Sequence, residues 1–154
     1  MELTVNQALK KGIEAHKAGE IQEADRYYTA VLNAHPDHPD GNHNKGILAM
    51  NMGKFEEALP FFKNALKSNL KISQHWASYI DALIKLNRTK AARQVLSQAK
   101  KNGIKGDALN EVEAKLLSTS RQASQILQKI EAFSTIHSIC QVFRLLAHYW
   151  CQPA

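Results

Sequence analysis

Residues 12–32 read GIEAHKAGEIQEADRYYTAVL, and residues 46–66 read GILAMNMGKFEEALPFFKNAL. With a shift of 34 residues, Gly12 falls on Gly46, Ala15 on Ala49, Gly19 on Gly53, Glu23 on Glu57, Ala24 on Ala58 and Leu32 on Leu66. Tyr27 and Tyr28 fall on Phe61 and Phe62. A second shift carries Ala58 to Ala92, Phe62 to Leu96, Ala65 to Ala99 and Lys67 to Lys101, with Ile80 replacing the first glycine and Asn87 the second. The period continues without an insertion. A fixed period of this length marks a repeat architecture.

Each copy reads as two helices. Ala8, Leu9, Gly12, Ile13 and Ala15 recur at helical spacing, and a second run passes through Ala24, Tyr27, Tyr28, Val31 and Leu32. Gly19, Gly53 and Asn87 predict the turns between them, because these residue types tolerate left-handed backbone. Pro36 and Pro39 punctuate the link to the next copy. The slim residues Gly12, Gly46, Ala24, Ala58 and Ala92 let paired helices approach closely, and Tyr28 and Phe62 fill the space between copies. A lone hairpin of this kind cannot bury its apolar face; stacked copies can, as a curved one-dimensional array. Pro60 falls inside a second helix, where it removes a backbone bond, so a kink or a late helix start is expected there.

Composition narrows the function classes. The chain has 154 residues, 44% apolar and 22% charged, with seven Gly and four Pro, which is the balance of a globular domain and excludes collagen-like or low-complexity sequence. The net charge of +6 permits acidic partners, but it is spread along the chain and no Lys/Arg run exceeds two residues. Cys140 and Cys151, if carried on one helix, lie about 16 Å apart at about 1.5 Å per residue, too far to bridge, so a reduced compartment is expected. The N-terminal residues lack the pattern of a secretory signal, and no apolar stretch approaches the roughly 20 residues that span a bilayer. A cytoplasmic protein with no membrane partner is expected.

With three copies in phase, the sequence resembles the tetratricopeptide repeat family. The first copy (5–38) offers Gly12, Ala24, Tyr28 and Pro36; the second (39–72) offers Gly46, Ala58, Phe62 and Ala65, with Leu70 where the pattern has proline; the third (73–106) offers Trp76, Ala92, Leu96 and Ala99. The stretch also resembles the opening repeat module of long bacterial array proteins, some of which continue into transferase domains. The resemblance implies an all-α fold, a right-handed superhelical α-solenoid of helix-turn-helix hairpins. It also implies a groove lined by the first helix of each copy. Carried over residue by residue, the inward positions are Asn6, Leu9, Ile13, His16 and Lys17, then Asp40, His43, Ile47, Met50 and Asn51, then Gln74, Ala77, Asp81, Ile84 and Lys85. Family members that clamp a terminal carboxylate use two lysines, two asparagines and an arginine. Here Asn44 alone matches that set, with Leu9, Ile13, Gln74 and Ser78 in the other places, so capture of a chaperone tail is not expected.

From Asp107 the periodicity weakens. Ala114 fits the small eighth position and Ile126 does not fit the small twentieth. Two helices are expected over 107–133 as a degenerate hairpin: one from about Asp107 to Leu117, the other carrying Ala123, Ile126, Leu127 and Ile130, with Ser118 or Ser120 as cap. A last helix over 134–154 sets a narrow polar stripe (His137, Gln141, Arg144, His148) against an apolar remainder. Three uses stay open for it: capping the array by folding back into the groove, swapping into or pairing with a second chain through Ile136, Ile139, Phe143, Leu146 and Trp150, or docking a partner.

Motifs for chemistry are missing. There is no phosphate-cradling glycine loop, no nucleophile elbow and no zinc-protease helix. The run His35-Pro-Asp-His38-Pro-Asp-Gly-Asn-His43 lacks matched ligand spacing and reads as an inter-repeat turn. No catalytic residue, cofactor or metal is expected. The sequence points to a non-enzymatic module that binds a protein, a peptide or a second copy of itself. An RNA-binding helical repeat is the alternative, and so is the regulatory opening of a transferase. Against RNA, the copies lack paired base-reading side chains and a basic stripe with interleaved aromatics.

Overall fold

The computed structural model describes residues 3–150, the side chains at 123 and 132–150 excepted. Helices α1 (Val5–Lys17), α2 (Ile21–Ala34), α3 (Pro39–Asn51), α4 (Phe55–Ser68), α5 (Ser73–Lys85), α6 (Thr89–Lys101) and α7 (Asp107–Trp150) follow one another, with no strand among the described residues. Residues Met1–Leu116 form one compact unit and Leu117–Ala154 a second.

Within the first unit the helices pair as the period predicts, α1 on α2, α3 on α4 and α5 on α6, with α2 against α3 and α4 against α5 linking the pairs. The turns fall where left-handed backbone was expected: φ is 79° at Gly19, 75° at Gly53 and 56° at Asn87. The α1 start is fixed by a capping box, in which the Gln7 amide donates to Thr4 Oγ1 and the Thr4 amide to Gln7 Oε1.

Close approach explains the small residues. A Cβ on Gly12 would lie 2.7 Å from Tyr28 Cε1, and one on Gly46 would lie 2.7 Å from Phe62 Cε1. No carbon fits there unless the ring shifts, so each ring packs directly against bare backbone. Every core straddles a junction between copies. Leu48 joins Ala15, Ala24 and Tyr28; Ala82 joins Ala49, Ala58 and Phe62; Leu109, Val112 and Leu116 of α7 join the third copy's Ile80, Leu96 and Ala99. Nearest-neighbour burial of this kind is what holds a repeat array together.

The links between copies use polar groups. Pro39 opens α3 at its first position, and the His38 ring Nδ1 accepts from the Gly41 amide at 3.1 Å. Asn42 is buried and donates to the carbonyls of Pro36 at 2.7 Å and His38 at 3.1 Å. The histidine-rich run is thus a helix cap and turn. Leu70, in the place of the expected proline, supplies a carbonyl to the Trp76 indole N–H at 2.8 Å. The aromatic ring closes the second link.

The late start offered for Pro60 and the turn expected after Leu117 give way. Helix α4 does not start late at Pro60; it runs from Phe55 to Ser68 with Pro60 inside it. Pro60 and Glu56 are both exposed, so water reaches the carbonyl that proline leaves without a donor, while Ala58, Phe62, Ala65 and Leu66 anchor the opposite face. Nor does the chain turn at Ser118 or Ser120, because both are helical within α7. Neither Gly nor Pro occurs between Gly106 and Pro153, and a serine inside a helix satisfies its hydroxyl locally, as Ser124 does on the Ser120 carbonyl at 3.1 Å. No described helix is long and apolar enough to cross a membrane.

Candidate functional site: a groove on the first helices

Ile47 and Met50 of α3 and Gln74, Ala77 and Asp81 of α5, all marked by the sequence, line one cavity of about 240 Å³. Ser78 joins them on α5, and Ala108, Glu111, Val112 and Lys115 close it from α7. The lining mixes apolar side chains, two alanines among them, with Gln74, Ser78 and the charged Asp81, Glu111 and Lys115.

The sequence reading stopped one copy short. Asp107 occupies the first place of a fourth copy, and its second, fifth and ninth places are Ala108, Glu111 and Lys115. Those are the groove positions of the earlier copies. The signal was available once Ala114 had been placed at the small eighth position; the loss of periodicity after Leu117 hid it.

The rim is an ionic cluster. Lys115 Nζ lies 3.0 Å from Glu111 Oε1 and 3.5 Å from Asp81 Oδ1. The hydrogen bond that the ammonium donates to Glu111, aided by the Asp81 charge, holds its pKa above the usual lysine value. The Asp81 side chain keeps only 23% of its exposure, so its charge sits against low-dielectric walls.

Other marked residues sit elsewhere. Leu9 and Ile13 pack against the first junction core, and Ile84 against the third. Asn6, Lys17 and Lys85 are exposed. His16 and Asn51 meet across two copies: the Asn51 amide donates to His16 Nε2 at 2.8 Å, leaving the ring proton on Nδ1, which faces the Tyr28 hydroxyl at 3.5 Å. Burial lowers the His16 pKa and pushes the Tyr28 hydroxyl up to about 12, so both groups stay neutral near pH 7. Asn44 donates to the Asp40 carbonyl at 2.8 Å within its own helix.

His43 is taken by packing. Its ring tilts against Phe62 at 5.8 Å and stacks on His75 at 4.6 Å. His75 is buried, with Nε2 3.7 Å from Asp40 Oδ1, and the Nδ1 atoms of both rings have no hydrogen-bond partner. Burial, reinforced by the neighbouring His75 and opposed by Asp40, pushes His43 down to about 4; burial lowers His75 too, against the pull of Asp40 and of the Asn69 backbone. The C-terminal residues Ile136, Ile139, Phe143, Leu146 and Trp150 lie outside the described side chains, as do both cysteines.

Comparison with known proteins agrees with this architecture. Residues 43–107 match the family model of the tetratricopeptide repeat. The Sgt2 tetratricopeptide domain from Aspergillus fumigatus superposes with a TM-score of 0.69 at 21% identity, over 79% of this chain and 82% of that one. The Hsp90 co-chaperone Cns1 from Saccharomyces cerevisiae gives 0.84 at 14% identity, over 95% of this chain and 48% of that one. The first tetratricopeptide domain of Spaghetti (RPAP3), bound to the Hsp90 peptide SRMEEVD, gives 0.68 at 18% identity, over 76% and 93%. No curated protein matches the sequence. The chain is a helical repeat protein with the fold of tetratricopeptide domains, and the family match lies within residues 43–107.

Proposed function

We propose that this protein is a non-enzymatic, cytoplasmic interaction module that holds a peptide or helix of another protein in the groove of its first helices. One observation carries the reading. Three successive first-helix segments bring Ile47, Met50, Ala77, Val112 and their polar neighbours around one open cavity, at positions that repeat in the sequence. A lining that mixes apolar and polar side chains suits a segment with a few apolar anchors. Structural neighbours include a domain solved with a bound peptide, which supports the same use.

The test is recovery of partners from native extract by the full chain and by Ile47→Asp/Met50→Asp. The double variant should lose the partners while keeping its helical circular dichroism. Equal recovery would remove the groove from the account. Solution mass distinguishes a foreign partner from a second copy: a concentration-dependent dimer abolished by the same pair of substitutions would make the chain its own ligand.

A further inference from the structure

The rim of the cavity specifies the sign of its ligand. Two carboxylates, Asp81 and Glu111, face one ammonium, Lys115, so the mouth carries an excess of one negative charge. Among the described residues no other charged side chain lines the cavity. The polar side chains that complete the lining, Gln74 and Ser78, are both neutral. The lysine at the cavity, Lys115, is already paired with both carboxylates, so the lining offers an acidic segment less than it offers a cation.

We propose that the groove selects a cationic segment of a partner protein: a bulky apolar side chain seated on Ile47, Met50, Ala77 and Val112, with a neighbouring Arg or Lys on Asp81 and Glu111. This rests on the interaction reading above and adds the partner's chemistry. Asp81 is the stronger determinant, because its carboxylate is the less exposed of the two. An arginine suits it best, since a planar guanidinium engages a carboxylate through two parallel bonds. Lys115 is the internal competitor: it occupies both carboxylates until a ligand cation takes its place. The chain's net charge of +6 does not oppose this, because charges beyond the cavity are screened over about 8 Å at physiological salt.

The probe is a random dodecapeptide display library panned against the full chain, with the Ile47→Asp chain as counter-selection. Enriched sequences should pair a large apolar residue with Arg or Lys within four positions. For the best enriched peptide, Asp81→Asn should weaken binding about tenfold and Glu111→Gln severalfold. Lys115→Gln should strengthen it severalfold, a gain that mere structural damage would not give. Urea midpoints of the three variants identify any that is unfolded, and Glu111→Gln, at an exposed site, serves if Asp81→Asn does not fold. Enrichment of Asp- or Glu-flanked anchors, or of anchors without charge preference, overturns the cationic assignment and leaves the interaction module standing. A library with no binder that depends on Ile47 overturns both.

Discussion

The first two copies and the third solve one packing problem in opposite ways. In copies one and two the first helix is bare at Gly12 and Gly46, and the second helix supplies the bulk as Tyr28 and Phe62, both fully buried. In copy three the first helix carries Ile80, fully buried, and the second the smaller Leu96. The constraint is on the summed volume between paired helices, and either helix can supply it. The copies differ in their junctions as well. Leu9 and Gly41 stand at the first junction, and Ala77 and Leu109 at the third, where His43 and His75 stand at the second. A polar stack has been set into an otherwise apolar series.

Removing the ring should hurt most. Phe62→Ala should cost about 4 kcal/mol in urea unfolding, against about 3 kcal/mol for Leu96→Ala, because the ring leaves the larger cavity. Equal losses would show that the two copies carry the same load despite their different side chains.

Acid should come next, and chiefly at the second junction. The His43 imidazole is held neutral in the fold with a pKa of about 4, whereas the unfolded chain takes up the proton near 6.5. The unfolded state therefore binds more protons between those values. Stability should be full above about pH 6.5, fall as pH drops toward 4, and level off below that, a total of about 3 kcal/mol. His75, whose pKa is lowered too, adds in the same direction, while Asp40 moderates it. Replacing His43 by the residue at the matching place in copy one, His43→Leu, should flatten the pH dependence. An unchanged slope would place the acid sensitivity elsewhere.

A smaller effect tests the exchange of volume directly. Gly46→Ala should cost about 2 kcal/mol, since its Cβ would arrive 2.7 Å from the Phe62 ring. Combined with Phe62→Leu, which imitates copy three, the loss should be less than the sum of the two single losses. Additivity would break the comparison.

The smallest change should be a gain. Arg26 and Gln94 occupy the places in copies one and three that Pro60 occupies in copy two. Pro60→Ala should raise stability by about 1 kcal/mol, part of the usual penalty being relieved already by water at the exposed Glu56 carbonyl.

The fold was legible wherever side-chain size repeats. The shift of 34 residues located six helices, and the residues able to adopt left-handed backbone located their turns. The single helix α7 was not legible, because Ser118 and Ser120 look like caps to a reading that cannot see a helical serine turn its hydroxyl back on its own helix, as Ser124 does. Of the candidate site, Ile47, Met50, Gln74, Ala77 and Asp81 followed from repeat position, and Ser78 was noted for another reason. The α7 residues required extending the period past the point where its apolar signature fades. The His43–His75 stack joins residues 32 apart on different copies, a distance that matches no helical or repeat period. Contacts of that sort depend on how two copies are set against each other.

Trp76 gives the second junction an optical gauge. Its indole is 3% exposed, tied to the Leu70 carbonyl, and next in sequence to the stacked His75. With Trp150 replaced by phenylalanine, every photon emitted by tryptophan reports from this one seam. A red-shifted spectrum under mild acid, at helicity that is still intact, would reveal copies two and three parting before the array melts.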